Sequence, residues 1–320
     1  MTEKIMLQPL EKIEILTLQD NYVEVTAMDN SEVITRASAI ADNEIRRSIS
    51  AEHGFAAIVR ATDSSSRTRT LLFDFGFSDS GAAENAKLLG ADMTEVEAMA
   101  LSHGHSDHTG GIETLAEMIG KKGIEFVVHP GAFRPSRFLK YPRGLEFKFP
   151  SLTRERLEKA GVRIVESDRP RLLLDGTMLF LGEIERKTDF ERGMPNAFYK
   201  DEDGESWDPI PDDTAVALHL RGKGLVVLSG CSHSGIVNTV LYARKITGIE
   251  NVHAVMGGFH LSGPAFDPIV PRTTEELKKL NLAYIIPCHC TGRKSIQYME
   301  REMPEAFIMN MAGTRLTFRA

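Results

Sequence analysis

The chain has 320 residues, a formal net charge of -7, 42% hydrophobic and 26% charged residues, and three cysteines. An acidic balance argues against general nucleic-acid binding, which needs a basic face to displace counterions. Neither a long apolar run nor a charged-then-apolar leader is visible, so no membrane span or secretion signal is expected. Cys231, Cys288 and Cys290 are too few for a disulfide framework and fit a cytoplasmic protein.

In chain order, Glu14 to Leu18 reads as a strand ended by Asp20-Asn21. Residues 25–50 give no firm pattern. Gly54 to Ala61 and Thr70 to Phe75 read as a hairpin across a polar turn, and Ala82 to Leu89 as a helix stopped by Gly90. Val96 to Leu101 is an apolar segment that empties into Ser102-His-Gly-His-Ser-Asp-His-Thr-Gly-Gly111, and a helix follows over 112–119. Phe126 to Val128 is another strand. Residues 134–150 form an inserted loop in which Arg134, Arg137, Lys140, Arg143 and Lys148 alternate with aromatic rings. Arg154 to Ala160 is helical, and Val162 to Val165, Arg171 to Leu174 and Met178 to Leu181 are strands, the last two joined by a turn at Asp175-Gly176. Residues 183–213, acidic and proline-bearing, read as a second, irregular inserted loop that could act as a lid. Ala215 to Leu220 and Leu225 to Leu228 are strands, Ile236 to Ile246 a helix, and Val252 to Met256 a strand ending at Gly257-Gly-Phe-His260. Thr273 to Leu280 is a helix with a Thr273/Glu276 capping box. Ala283 to Ile286 is a strand ending at Pro287-Cys-His-Cys290, Gly292 to Arg301 a helix, and Phe307 to Met309 and Arg315 to Phe318 closing strands. Hairpins mixed with strand–helix alternation predict an α/β (α+β) fold with mixed sheets, in one domain over 1–320.

The histidine-rich stretch carries the chemistry. Side chains two apart in an extended segment share a face, so His103 and His105 can bind one ion. Asp107 and His108 fall where the chain turns into the helix and can face a second. This donor set suits zinc first, with manganese, iron or magnesium as alternatives. Further ligands are expected from other strand ends, which nominates His233 and His289, with Cys231 as a thiolate candidate. Cys288 and Cys290, which flank His289, are expected to be packing residues that point away from it. His260, at another strand end, is nominated for proton transfer or substrate contact, and His53 more weakly for substrate contact. Asp107 is the second catalytic candidate. Gly230-Cys-Ser232-His-Ser234 lacks the second glycine of a serine-nucleophile elbow, so a serine hydrolase is disfavoured.

His103-x-His-x-Asp-His108 after a strand, with later histidines at strand ends, resembles the metallo-β-lactamase superfamily. Phe73-Asp-Phe-Gly76 matches its second-strand signature, which makes Asp74 a support for the ligands. Ala51-Glu-His-Gly54, Gly182-Glu-Ile-Glu-Arg186, Gly230-Cys-Ser-His-Ser-Gly235, Gly257-Gly-Phe-His260 and Pro287-Cys-His-Cys-Thr-Gly292 are similar to the subfamily of 7,8-dihydropterin-6-methyl-4-(β-D-ribofuranosyl)aminobenzene 5'-phosphate synthase. The resemblance implies a four-layer αβ/βα sandwich with two mixed β-sheets and two divalent metal ions at one edge. It also implies a small-molecule, anionic or phosphorylated substrate, and is compatible with a homo-oligomer. The family's hydrolases carry a metal-binding histidine and a bridging aspartate where this chain has Gly182-Glu183 and Gly230-Cys231, so Glu183 joins Cys231 as a candidate ligand or support. The first reading is a metal-dependent hydrolase of a phosphoester, ester or lactone. The second is a transferase joining a dihydropterin diphosphate to an aryl ribose phosphate, with Arg134, Arg137 and Arg186 available to phosphate. The third is a metal-binding sensor without turnover.

Overall fold

The computed structural model describes residues 4–38, 40–41, 44–45 and 48–320. Two large sheets pack face to face. In chain order their strands, with the helices and the smaller sheet between them, are β1 (Lys12–Gln19), β2 (Ala56–Thr62), β3 (Thr68–Phe73), α1 (Gly81–Leu88), β4 (Ala98–Ala100), α2 (Ile112–Ile119), β5 (Glu125–Val128), β6 (Arg137–Tyr141), β7 (Leu145–Lys148), α3 (Arg154–Lys159), β8 (Arg163–Glu166), β9 (Arg171–Leu173), β10 (Met178–Phe180), β11 (Ala197–Asp201), β12 (Gly204–Trp207), β13 (Ala215–Leu220), β14 (Gly224–Ser229), α4 (Ile236–Thr247), β15 (Val252–Gly258), α5 (Val270–Lys278), β16 (Tyr284–Cys288), α6 (Arg293–Glu302) and β17 (Arg315–Arg319). The first sheet runs β8-β5-β4-β3-β2-β1-β17 and ends on the short strand Ile34–Thr35. The second runs β9-β10-β13-β14-β15-β16, with Pro9–Leu10 pairing parallel to β13.

Alternation along the strands explains the layers. Ile13 and Ile15 of β1, Ala57 and Val59 of β2, and Leu71 and Phe73 of β3 point between the sheets, where they meet Phe180, Val216, Leu218, Val226, Leu228 and Met256. Their neighbours Leu16, Leu18, Ile58 and Leu72 face outward onto α1, α2 and α3. Ala217, Leu225, Val227 and Val255 do the same toward α4, α5 and α6. Strands buried on both faces read as continuous apolar runs. A ring such as Phe73 or Phe180, with no exposed surface, contributes about 1.5–3 kcal/mol of burial. The result is the four-layer sandwich expected, with strand ends of both sheets meeting at one edge.

The two inserted segments depart from expectation. Parts of both, 137–148 and 197–207, form one antiparallel sheet, β7-β6-β11-β12, pairing Arg137 with Tyr199 and Phe138 with Phe198, while 183–196 and 208–213 stay irregular. Their charges are complementary, which reading each segment alone did not show. Arg137 is buried, with Nη1 2.9 Å from Asp212 Oδ2 and Nε 2.9 Å from Asp208. Asp212 Oδ2 also accepts the Gly104 N–H at 2.8 Å, tying this sheet to the histidine-bearing turn. Arg137→Met leaves buried Asp212 without its cation and Asp208 with Arg134 alone. It is expected to cost about 3–5 kcal/mol in denaturant unfolding.

Three smaller expectations are corrected. The helix at 270–278 starts before Thr273, with Pro271 in its first turn, so Thr273 is interior and its hydroxyl has no hydrogen-bond partner among the described residues. Phe307 makes only an isolated bridge to Ile285 and does not begin a strand. Residues 289–291 form a 3-10 turn, so Cys290 does not point away as in an extended strand. Its Sγ lies 3.6 Å from the Cys231 carbonyl oxygen, under the histidine cluster. No helix among the described residues is long and apolar enough to cross a membrane.

Candidate metal centre

Each functional side chain leaves a strand end through a constrained turn. Gly104 stands where a Cβ would lie 2.3 Å from the Ala132 carbonyl oxygen, and Gly230 where a Cβ would lie 2.1 Å from Ser102 Oγ. Bulk at either position would push these turns apart. After β3 the backbone enters the left-handed region at Asp74 (φ 59°), and after β16 at His289 (φ 47°). Such conformations are costly for non-glycine residues and collect at functional sites.

The side chains converge in two groups sharing an edge. His103, His105 and His233 form one, and Asp107, His108, Cys231 and His289 the other. Within each group the ligand atoms lie within 4.8 Å of one another. Cys231 also groups with His233 and His260, which places its sulfur between the two. Key distances are 3.2 Å from His233 Nε2 to His103 Nε2, 3.1 Å from His108 Nε2 to Cys231 Sγ, and 3.3 Å from His289 Nε2 to Asp107 Oδ2.

Hydrogen bonds behind the rings fix which nitrogen faces inward. Buried Asp74 accepts the Ser102 N–H at 2.7 Å, the Ser102 hydroxyl at 2.8 Å and His108 Nδ1–H at 2.6 Å. With its proton given to Asp74, Ser102 Oγ accepts from His103 Nδ1 at 2.9 Å. His289 Nδ1 donates to Asn21 Oδ1 at 3.2 Å, while the His289 backbone N–H donates to Asp20 Oδ1 at 3.0 Å. His103, His108 and His289 thus each use Nδ1–H outward and present Nε2 to the centre, the arrangement that outer partners impose on metal-binding histidines.

Electrostatics agrees. Burial, then repulsion from neighbouring histidines, holds His103 and His233 well below the ordinary imidazole value. Burial and the Arg137 charge bring His105 to about 3. These rings are neutral, the form that binds metal. For His108 burial works against charge, but Asp74 and Asp107 outweigh it and push the ring up to about 9. A cation at Nε2 would satisfy the same carboxylates as that proton does. Facing ring nitrogens at 3.2 Å, and a His289 Nε2 that meets only the Asp107 carboxylate at 3.3 Å among the described residues, are poorly explained as a self-contained polar network and fit a metal centre.

The remaining nominated residues divide. His53 stands at the rim, its Nε2 3.8 Å from Asp107 Oδ2. His260 packs against His233, ring centroids 4.3 Å apart. Glu183 stays outside the groups: the turn at Gly182 (φ 69°), set against the 168–169 backbone, carries it to an exposed position. Arg134 is 2.5 Å from Asp208 and lies over the Tyr199 ring, and Arg137 is buried as described, so both brace the inserted sheet and neither faces the cluster with a free guanidinium. Arg186 donates to the Pro209 carbonyl. Ser232 Oγ lies 2.8 Å from the Gly258 carbonyl and 2.7 Å from Ser229 Oγ, which leaves it engaged away from a nucleophile's role. Phe149 stacks on His105, centroids 4.3 Å apart and planes 9° apart, so the inserted sheet does cover the cluster through a ring.

Sequence reasoning missed Asp20 and Asn21 as positioning residues, because a strand-ending Asp-Asn looks like any turn. It also missed Glu191, a buried carboxylate accepting the Val237 and Asn238 N–H groups at 2.9 Å each at the start of α4, directly after the His233 turn. Burial outweighs those bonds and raises Glu191 to about 7 from 4.5. The raised folded-state value means its share of stability is fully present below the unfolded value and lost as pH rises through about 7. The full shift corresponds to about 3 kcal/mol. Glu191's own contribution is expected to fall as pH rises from about 4.5 through 7, so the unfolding free energy of Glu191→Gln should gain on that of the parent by up to about 3 kcal/mol across that window.

The family model of the metallo-beta-lactamase superfamily matches residues 53–241. A 7,8-dihydropterin-6-methyl-4-(beta-D-ribofuranosyl)-aminobenzene-5'-phosphate synthase of Methanocaldococcus jannaschii is 35% identical over 270 residues, covering 83% of this chain and 90% of its own. The crystal structure of Tm1679, a metal-dependent hydrolase of the beta-lactamase superfamily, superposes with a TM-score of 0.73 at 22% identity over 96% of this chain and 100% of that one. A metallo-beta-lactamase fold protein from Bacillus subtilis, YhfI, gives 0.50 at 12% identity, again over 96% and 100%. At those identities the two structures bear on the fold alone.

Proposed function

Because the chain belongs to the metallo-beta-lactamase superfamily, we propose that it is a metal-dependent transferase that joins a dihydropterin, through its methylene carbon, to a ribofuranosylaminobenzene phosphate. The relative at 35% identity over most of both chains is the observation that carries this reading, and it reverses the order in which the sequence motifs ranked hydrolysis and transfer.

His103, His105 and His233 would hold one divalent ion, and Asp107, His108, Cys231 and His289 the other. The nitrogen-rich set with one thiol and one carboxylate favours zinc. When bound, such ions supply Lewis-acid charge to a diphosphate leaving group. The chain's own groups do the rest. Asp74, Ser102, Asn21 and Asp20 keep the imidazoles aimed, so little reorganisation is needed as charge develops. Phe149 shields His105 from water on one face. His260, beside His233 and with no hydrogen-bond partner at Nδ1 among the described residues, would take the proton that the acceptor loses as its new bond to the methylene forms and the bond to diphosphate breaks.

The test is diphosphate release by the metal-loaded protein. Release that requires both the pterin diphosphate and the aryl acceptor supports the transferase. Turnover of a phosphoester, ester or lactone without an acceptor assigns a hydrolase instead. Full metal content with no turnover of either kind assigns a sensor.

A further inference from the structure

A cavity of about 400 Å³ opens beside the metal centre, lined there by His233 and His260. Its walls come from segment 190–195, from Trp207 at the end of β12, and from segment 259–269, including Phe190, Met194 and Phe266. None of its aromatic walls is needed by the metal centre. Trp207 is the chain's single tryptophan and is 41% exposed, yet its ring is held, Nε1–H donating to the Met194 carbonyl at 2.9 Å. Phe266 meets the His260 ring edge-on, centroids 5.1 Å apart and planes at 81°. Gly193 (φ 87°) keeps the wall thin: a Cβ there would lie 3.4 Å from the Trp207 ring and 2.8 Å from Arg186 Nη1. A pinned, half-exposed indole facing a cavity with other rings does little for folding. It is what a planar ligand needs, since flat faces bury large apolar area against aromatic side chains at small entropic cost.

We propose that this cavity is the ring pocket of the enzyme, with Trp207 and Phe266 holding the planar aromatic ring of one reactant so that its reacting end emerges between His260 and the metal ligands. The identity of the ring rests on the transferase reading above, in which both reactants carry one, the pterin or the aminobenzene. The site itself rests on the cavity. It gives Trp207 and Phe266 a role in substrate selection, and it makes the inserted hairpin β11–β12 part of the active site through its last residue.

Because Trp207 is the sole tryptophan, its emission reports on the pocket directly. The zinc-loaded protein is titrated with 6-hydroxymethylpterin and, separately, with 4-aminobenzyl alcohol. Saturable quenching by one of them is expected, and the probe that quenches names the occupant. Phe266→Ala, which keeps the reporter, is expected to raise the half-quenching concentration about tenfold, the scale of losing one stacking ring. In turnover, Trp207→Ala is expected to raise KM for the same ring-bearing reactant about tenfold, more than it lowers kcat, with Trp207→Phe largely restoring it. Metal content and thermal unfolding of each variant separate these effects from misfolding. No saturable quenching by either probe, or quenching unmoved by Phe266→Ala, overturns the pocket. Quenching without diphosphate release upholds the pocket and sinks the transferase. Two-substrate turnover whose KM values ignore Trp207 does the reverse.

Discussion

His289→Ala is expected to release one of two bound ions and to lower kcat by roughly 10³-fold or more, beyond the 10–100-fold typical when only a supporting partner is lost. His289 belongs to the group of Asp107, His108 and Cys231, its Nε2 3.3 Å from Asp107 Oδ2. Truncation removes that donor while His103, His105 and His233 remain in place. Metal analysis should therefore fall from two equivalents to one, not to none. The buttress supplies the graded control. Asn21 bonds His289 Nδ1 and the His289 carbonyl, so Asn21→Ala should weaken the same ion about 10–100-fold and spare the other. Two equivalents retained in His289→Ala, with near-normal turnover, would remove His289 from the centre. Unfolding midpoints must accompany both, since His289 is buried and its backbone is anchored by Asp20.

What could be read from the residues follows their spacing in the chain. His103, His105, Asp107 and His108 are neighbours, and a strand leading into a turn and then α2 is enough to divide them into the two groups in which the side chains cluster. His233 and His289 could be nominated because each follows an apolar strand, and strands of one sheet end along one edge. The buttresses were hidden for the opposite reason. Asp20 and Asn21 lie 268 to 269 residues before the histidine they support, and a side chain bonded across that separation leaves no local signature. The inserted sheet was missed because neither half reads as a stable strand pair alone. Only when 137–148 and 197–207 pair do the arginines of one find the aspartates that follow the other. Read alone, Arg134 and Arg137 look available to phosphate, but their charges are already answered by Asp208 and Asp212. Glu183 failed differently: a motif position was matched, but the left-handed turn at Gly182 points the carboxylate to solvent.

Cys231 carries the second large effect. It stands in the Gly230-Cys231 turn, which resembles the place of a bridging aspartate in the hydrolase pattern, and its sulfur is grouped both with Asp107, His108 and His289 and with His233 and His260. Loading the protein with cobalt in place of zinc should give a near-ultraviolet thiolate-to-metal absorption, because a thiolate is a soft, oxidisable donor and a carboxylate is not. Cys231→Ser should abolish that band and lower kcat by roughly 10²-fold or more, on the scale of removing a direct donor rather than a supporting one. Cys290→Ser is the discriminating control. Its sulfur lies beneath the cluster, 3.6 Å from the Cys231 carbonyl oxygen, and joins none of the ligand groups among the described residues, so the band should survive. Cys231→Asp, which installs the carboxylate of the hydrolase pattern, should keep two ions without the band. If that variant also gains acceptor-independent turnover of a phosphoester, then the single side chain at this turn separates transfer from hydrolysis. If the band persists in Cys231→Ser and is lost in Cys290→Ser, the thiolate donor is Cys290 and Cys231 is a packing residue.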